Sequence, residues 1–157
     1  MGESFLEIRK MGTEELYRLT ELFDYNDPDA MISTCTERIQ RGIEDIFILF
    51  EQDVLAGELH VMYQNDDVRF AKQGKRAYLF AFRIREAYQN LGYGTKLLQT
   101  VLALLQENGY DEFTVGVEDN NLRAKHIYWA LGFSEFICRK KETYQGDSYE
   151  FNLYLKR

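Results

Sequence analysis

The stretch between Ala77 and Glu118 restricts the fold more than any other. "AYLFAFRI" (Ala77–Ile84) is almost continuously apolar, which predicts a strand buried on both faces. A short polar turn follows. Then Leu97, Leu98, Val101, Leu102, Leu104 and Leu105 form a stripe at helical spacing, closed by Asn108-Gly109, a pair suited to a helix C-terminus. "DEFTVGVE" alternates, with Phe113, Val115 and Val117 on one face. Strand, helix and strand in this order predict a right-handed crossover between parallel strands.

The rest of the chain builds outward from that unit. "SFLEIRKM" reads as a first strand, and "TEELYRLTELFDY" as a helix with Thr13 as its N-cap. Asp27-Pro28 opens a second helix reaching to about Gly42, with Pro28 in the first turn, where its missing N–H costs little. "IFILFEQDVLAGELHVMY" reads as a hairpin turning near Gln52-Asp53. In its second strand Leu55, Gly57, Leu59 and Val61 share one face, and Ala56, Glu58, His60 and Met62 the other. After the crossover come an amphipathic helix, "NNLRAKHIYWALGF", and two closing strands, "FSEFICRK" and "SYEFNLYLK". No repeat, linker or low-complexity tract interrupts the chain. Its 157 residues suit one mixed α/β domain, 1–157.

The totals exclude several classes. A net charge of −7 argues against a general nucleic-acid binder, which carries a basic face. It agrees with a cationic small-molecule ligand, and equally with simple solubility. Cys35 and Cys138 form no CxxC pair, and with His60 and His126 on different elements no metal-ligand spacing exists. We therefore expect reduced cysteines and no metal site. "MGESFLEIRK" lacks an apolar signal core, and Leu6 stands where a myristoylation motif after Gly2 needs Ser or Thr. No apolar run approaches the roughly 20 residues of a membrane span. The expected setting is cytoplasmic, with no membrane and no nucleic-acid partner.

Two glycines at the start of the crossover helix call for an explanation, because glycine is a poor helix former. In "YQNLGYG" these are Gly92 and Gly94, preceded by Gln89. A helix starts with backbone N–H groups that have no intrahelical partner, and its dipole adds partial positive charge there. A phosphate satisfies both. Bare backbone lets an anion approach those amides and permits the angles of an anion-cradling nest. Thr95 adds a hydroxyl and Lys96 a charge. A turn that merely needs two glycines would look the same. The segment is neither a Walker A loop nor the GxGxxG fingerprint, since Leu97 occupies the third glycine position.

Together, "QNLGYG" and "NLRAKHIYWALGF" resemble the Gcn5-related N-acetyltransferases. That family's loop reads [QR]xxGx[GA], matched by Gln89, Gly92 and Gly94. Its downstream helix reads NxxAxxxYxxxGF, matched by Asn121, Ala124, Tyr128, Gly132 and Phe133. The element order agrees from Phe5 to the C-terminus. The resemblance implies a mixed, mostly antiparallel sheet of about seven strands, with a splayed parallel pair at its centre and about four flanking helices. It implies an acetyl-CoA-dependent N-acetyltransferase in which a primary amine, on a small molecule or a peptide N-terminus, attacks the thioester directly. Acetyl-CoA would lie against Gln89, Asn90, Leu91, Gly92, Tyr93, Gly94 and Thr95. Its pantetheine arm would add to the strand at Phe82, Arg83 and Ile84, as in β-augmentation. Asn121 would lie near the cofactor, and Arg123 and Lys125 within reach of its adenosine phosphate. A non-catalytic acyl-CoA sensor or scaffold is the alternative.

The resemblance makes Tyr128 the general acid. A phenol near about 10 can protonate a departing thiolate, whose acid lies near about 8.5, if it is well positioned. As a residue alone, Tyr128 reads equally as a core aromatic. Asn121 or Asn120 caps the helix. Glu118, at the end of its strand, is the first candidate for the base that frees the amine, with Glu58 and His60, or a water, as runners-up. Each of these side chains otherwise reads as an exposed polar strand residue. Some family members carry a glutamate base five residues before the asparagine, where this chain has Gly116. That departure weakens any analogy to the ribosomal-protein-acetylating branch. The apolar closing strands would pair at an exposed edge, and many family members are dimers, so a homodimer is expected.

Overall fold

The computed structural model describes residues 5–157. Met1–Ser4 lie outside the described residues, including the Gly2 weighed above for acylation and Ser4 of the first-strand reading. Seven strands form one sheet in the order β1-β2-β3-β4-β5-β7-β6. They are β1 Leu6–Lys10, β2 Glu44–Glu51, β3 Val54–Met62, β4 Arg76–Ile84, β5 Glu112–Val117, β6 Glu135–Tyr144 and β7 Asp147–Lys156. The α-helices are α1 Pro28–Gln40, α2 Tyr93–Glu107 and α3 Leu122–Ala130. β4 and β5 are parallel, as the crossover requires, while β1–β2, β5–β7 and β6–β7 are antiparallel. No described helix is long and apolar enough to cross a membrane.

The chain divides into two compact units, one from Met1–Val61 and Ala81–Leu104, the other from Met62–Phe80 and Leu105–Arg157. In the first, Leu16, Leu19, Ile46, Ile48, Phe50 and Leu55 form a buried core with Met11 and Cys35. The expected helix at Thr13 is instead a 3-10 helix, Thr13–Glu21, and its N-cap is Gly12. Glu15 replaces the capping role expected of Thr13. Its carboxylate accepts from the Gly12 N–H at 2.8 Å and from the Arg9 guanidinium at 2.6 Å. The Arg9 bond lowers the Glu15 pKa to about 2. Asp27 caps α1 by accepting from the Ala30 N–H at 3.0 Å, with Pro28 in the first turn as expected.

The second unit has its own core around Phe70, Phe151 and Leu153. The Thr114 hydroxyl, buried on β5, donates to the Phe70 carbonyl at 2.6 Å. Phe70 sits edge-on to Tyr78 and Phe151. Gly116 faces Phe151 so closely that a Cβ there would stand 2.6 Å from a ring carbon.

β4 departs from expectation. Only Ala77 and Leu79 are buried, and residues from Phe80 to Ile84 are half-buried. The parallel ladder with β5 ends at Leu79↔Val115, although β4 continues to Ile84 and β5 to Val117. Ala81 has φ of 48°, a left-handed conformation uncommon for a residue with a Cβ. A left-handed residue inside a strand turns the backbone locally away from the regular extended run.

Candidate functional site

In the first unit, β4 runs through Glu86–Tyr88, one turn of 3-10 helix, into the glycine turn and α2. Asn90 has φ of 63° and Gly92 of 82°, so the chain enters the left-handed region twice before the helix begins. The first helical bond runs from the Lys96 N–H to the Gly92 carbonyl at 3.1 Å. The amides of Gly94 and Thr95 therefore stand ahead of the helical ladder. A Cβ built on Gly92 would meet no protein atom within 4 Å. The space that glycine leaves is open rather than filled by packing, and it lies at the positive end of a 15-residue helix. Bare backbone, left-handed angles and open space fit a phosphate cradle. Gly94, by contrast, is buried.

The predicted cradle residues play different parts. The Gln89 carboxamide donates to the Ile84 carbonyl at 2.8 Å, closing the loop back onto β4. Tyr93 donates its hydroxyl to Glu51 at 2.7 Å and stacks on Tyr88, which fixes the first residue of α2. Leu91 is 59% exposed. On β4, Phe82, Arg83 and Ile84 are half-buried. The Arg83 guanidinium lies 3.9 Å from the Phe23 ring centre.

The first unit also draws Glu58 and His60 together, with Glu44. All three are buried, which corrects the reading of Glu58 and His60 as exposed strand residues. Nε2 of His60 lies 2.6 Å from Glu58, and Nδ1 lies 3.4 Å from Glu44. Arg83 donates to Glu58 at 3.3 Å, and Arg38 to Glu44 at 3.5 Å. Among the described residues, no group of His, Cys, Asp or Glu could hold a metal ion.

In the second unit, Tyr128 is the buried residue of α3, 4% exposed and packed edge-on against Phe133. Burial pushes its phenol pKa above the ordinary value. Asn121 caps α3 by accepting from the Ala124 N–H at 3.1 Å, which decides between it and Asn120. The Lys125 ammonium donates to the Asp119 carbonyl at 2.7 Å, so in this structure it braces the loop before α3. Glu118 is exposed in a shallow cleft lined by Asp119, Arg139, Lys141 and Tyr149. Cys35 and Cys138 are free thiols.

Sequence reasoning missed Glu44 and Ala81. Glu44 opens an apolar strand and looks like an ordinary boundary residue. Ala81 carries no signal at all, since nothing in its side chain favours positive φ.

Comparison with known proteins follows the same lines. The profile described as the Acetyltransferase (GNAT) family matches residues 11–133. N-alpha-acetyltransferase 50 of Danio rerio is 34% identical over 107 residues, covering 61% of this chain and 63% of that protein. The chain thus spans less than two thirds of that relative's length. The structure of yncA from Salmonella typhimurium, solved with its cofactor acetyl-CoA, superposes with a TM-score of 0.72 at 18% identity, over 97% of this chain and 93% of that one. The N-acetyltransferase from Staphylococcus aureus gives 0.75 at 15% identity, over 97% and 98%.

Proposed function

Because this chain belongs to the GNAT acetyltransferase family, we propose that it moves the acetyl group of acetyl-CoA to a primary amine by direct attack on the thioester. The acceptor is a small amine or a peptide N-terminus. The name of the Danio rerio relative makes N-terminal peptides the first acceptors to try. The whole chain, 1–157, acts as one acetyltransferase domain in this reading, and the family match draws on both compact units.

The observation that carries the reading is the Gly92 turn. Its left-handed backbone, the open space beside it and the amides ahead of the α2 ladder together suit the pyrophosphate of acetyl-CoA. Gln89 holds this turn against Ile84, so the carboxamide shapes the cradle from behind. Main-chain groups of Phe82, Arg83 and Ile84 would orient the pantetheine arm, on the part of β4 that runs on beyond its ladder with β5. When bound, acetyl-CoA supplies an activated acyl group. The protein's own chemistry is to hold that group, to take a proton from the amine and to return one to the departing sulfur. Tyr128 takes the last role. Burial favours its neutral phenol, the form that can give a proton. Asn121 secures the start of the helix that carries it.

Two finer points belong to the same reading. Two free cysteines suit a reducing, cytoplasmic setting. β6 ends the sheet order and exposes Phe136 and Tyr144, which suits pairing into a homodimer. A monomeric mass by light scattering at tens of micromolar protein would reject the dimer. The decisive experiment for function is thiol release from acetyl-CoA across a panel of amines and N-terminal peptides. Turnover with any of them supports the enzyme. Tight acetyl-CoA binding without turnover on the whole panel would make the chain a binding module instead.

A further inference from the structure

Three ionisable side chains in the first unit are buried together. Glu44 on β2 is 1% exposed, Glu58 on β3 0% and His60 4%. Each ring nitrogen of His60 faces a carboxylate, Glu58 at 2.6 Å and Glu44 at 3.4 Å. A neutral ring would turn a lone pair on one of them, whereas the protonated ring offers a donor to each. Desolvation opposes that charge and the two carboxylates favour it, and the balance raises the His60 pKa.

The surrounding groups complete the picture. Arg83 on β4 reaches Glu58, and Arg38 on α1 reaches Glu44. Cys35, also on α1, has its thiol pushed up to about 12 by burial and then by Glu44, so it stays neutral. Oε2 of Glu58 is buried without a hydrogen-bond partner, whereas Oε2 of Glu44 has the His60 ring 3.4 Å away. Leaving a carboxylate oxygen so is costly unless some donor arrives to meet it.

The location narrows which donor that is. Next to Glu58, a Cβ on Gly57 would stand 2.6 Å from the Ile84 side chain and 3.2 Å from the Arg83 carbonyl. Glu58 is thus carried beside the end of β4 that leads into the cradle. Arg83, whose side chain is 27% exposed, is the member in contact with Glu58 that meets solvent.

We propose that Glu58 is the proton acceptor for the incoming amine, with His60, held between Glu58 and Glu44, as the positioning residue that orients its carboxylate. The inference rests on the acetyltransferase reading. An N–H bond of the acceptor ammonium breaks, the proton passes to Oε2 of Glu58, and the electron pair stays on nitrogen, which becomes the nucleophile. Arg83 and His60 both hold Oε1, which leaves Oε2 for the ammonium.

The test is the pH profile of kcat/KM with the best acceptor from the amine panel, for wild type, Glu58→Gln, His60→Gln and Glu44→Gln. Glu58→Gln should lower kcat/KM by about 10²-fold or more, with affinity for CoA unchanged. His60→Gln removes the cation beside Glu58, so the acid limb of the profile should move up in pH by about one unit or more. Glu44→Gln should move it less. The imidazole signal of His60 should titrate above that of a free histidine and fall back in Glu58→Gln. If Glu58→Gln does not fold, Glu58→Asp keeps the charge and should retain the wild-type acid limb at reduced kcat. A folded Glu58→Gln within twofold of wild type overturns the proposal, as does a His60→Gln profile that superimposes on wild type. Loss of activity in Glu118→Gln, with Glu58→Gln unaffected, overturns it in favour of Glu118. Wild-type protein that releases no thiol with any amine overturns the acetyltransferase reading and this role together.

Discussion

Helices α2 and α3 begin in opposite ways. α3 starts from Asn121, whose side chain accepts from the Ala124 N–H, so the helix supplies an acceptor to its own first turn. α1 does the same with Asp27 and Ala30. α2 starts from Gly92, which has no side chain to offer, and the place a Cβ would take is open. Where the chain seals a helix by itself, the start is a structural device. Where it gives up the seal, worth about 0.5–2 kcal/mol at an ordinary helix, the space is kept for an acceptor from outside. In our reading α2 is used at its tip and α3 along its flank, through Tyr128.

The sharpest way to break that contrast is on the flank of α3. Tyr128→Phe keeps the ring and its packing on Phe133 but removes the hydroxyl. It should lower kcat and kcat/KM together by about 10²-fold, leaving acetyl-CoA affinity almost intact. Steady-state kinetics and calorimetry decide, and a kcat within twofold of wild type removes Tyr128 from the reaction. The next largest effect belongs to the tip of α2. Gly92→Asn places a residue that tolerates positive φ and can cap the helix where the cradle is open. Affinity for CoA should fall about tenfold or more while the melting temperature holds or rises. Unchanged affinity in the folded variant would mean that the open space serves no ligand. The smallest effects lie at the start of α3. Asn121→Ala should cost about 1 kcal/mol of stability, and Asn121→Gly a few tenths. A large loss of CoA affinity in either variant would show that Asn121 serves the cofactor directly, and α3 would then be used at its tip as well.

Local rules made much of this legible in the sequence. The parallel crossover, the helix opening at Asp27-Pro28, the turn at Gln52-Asp53 and the glycine turn before α2 all follow from periodicity and backbone chemistry within a few residues. Two kinds of feature did not. The irregularity of β4 lies at Ala81, which carries no preference for the left-handed region, so the run "AYLFAFRI" read as uniformly buried although its ladder with β5 ends at Leu79. The Glu44–His60–Glu58 cluster is assembled from β2 and β3, with arginines from α1 and β4 at its ends. Alternation placed Glu58 and His60 on one face, but it could not say that this face is buried. The 3-10 helix shows a competition lost. Thr13 is a good cap by type, yet Glu15 meets the Gly12 amide and Arg9 at once, and a charged acceptor with two donors wins.

Gly116 bears on how this protein could change over generations. Phe151 presses on it from β7, with two ring carbons closer than 3.0 Å to any Cβ placed there. Every single substitution at 116 therefore collides with an aromatic ring of the second unit's core. An acidic side chain there would need Phe151 to shrink first, and that first step opens a cavity costing about 3–5 kcal/mol. Both intermediates are handicapped, one by overlap and the other by a void. A lineage carrying this pair is held to whatever base it already has, and a change of mechanism would have to begin on another strand.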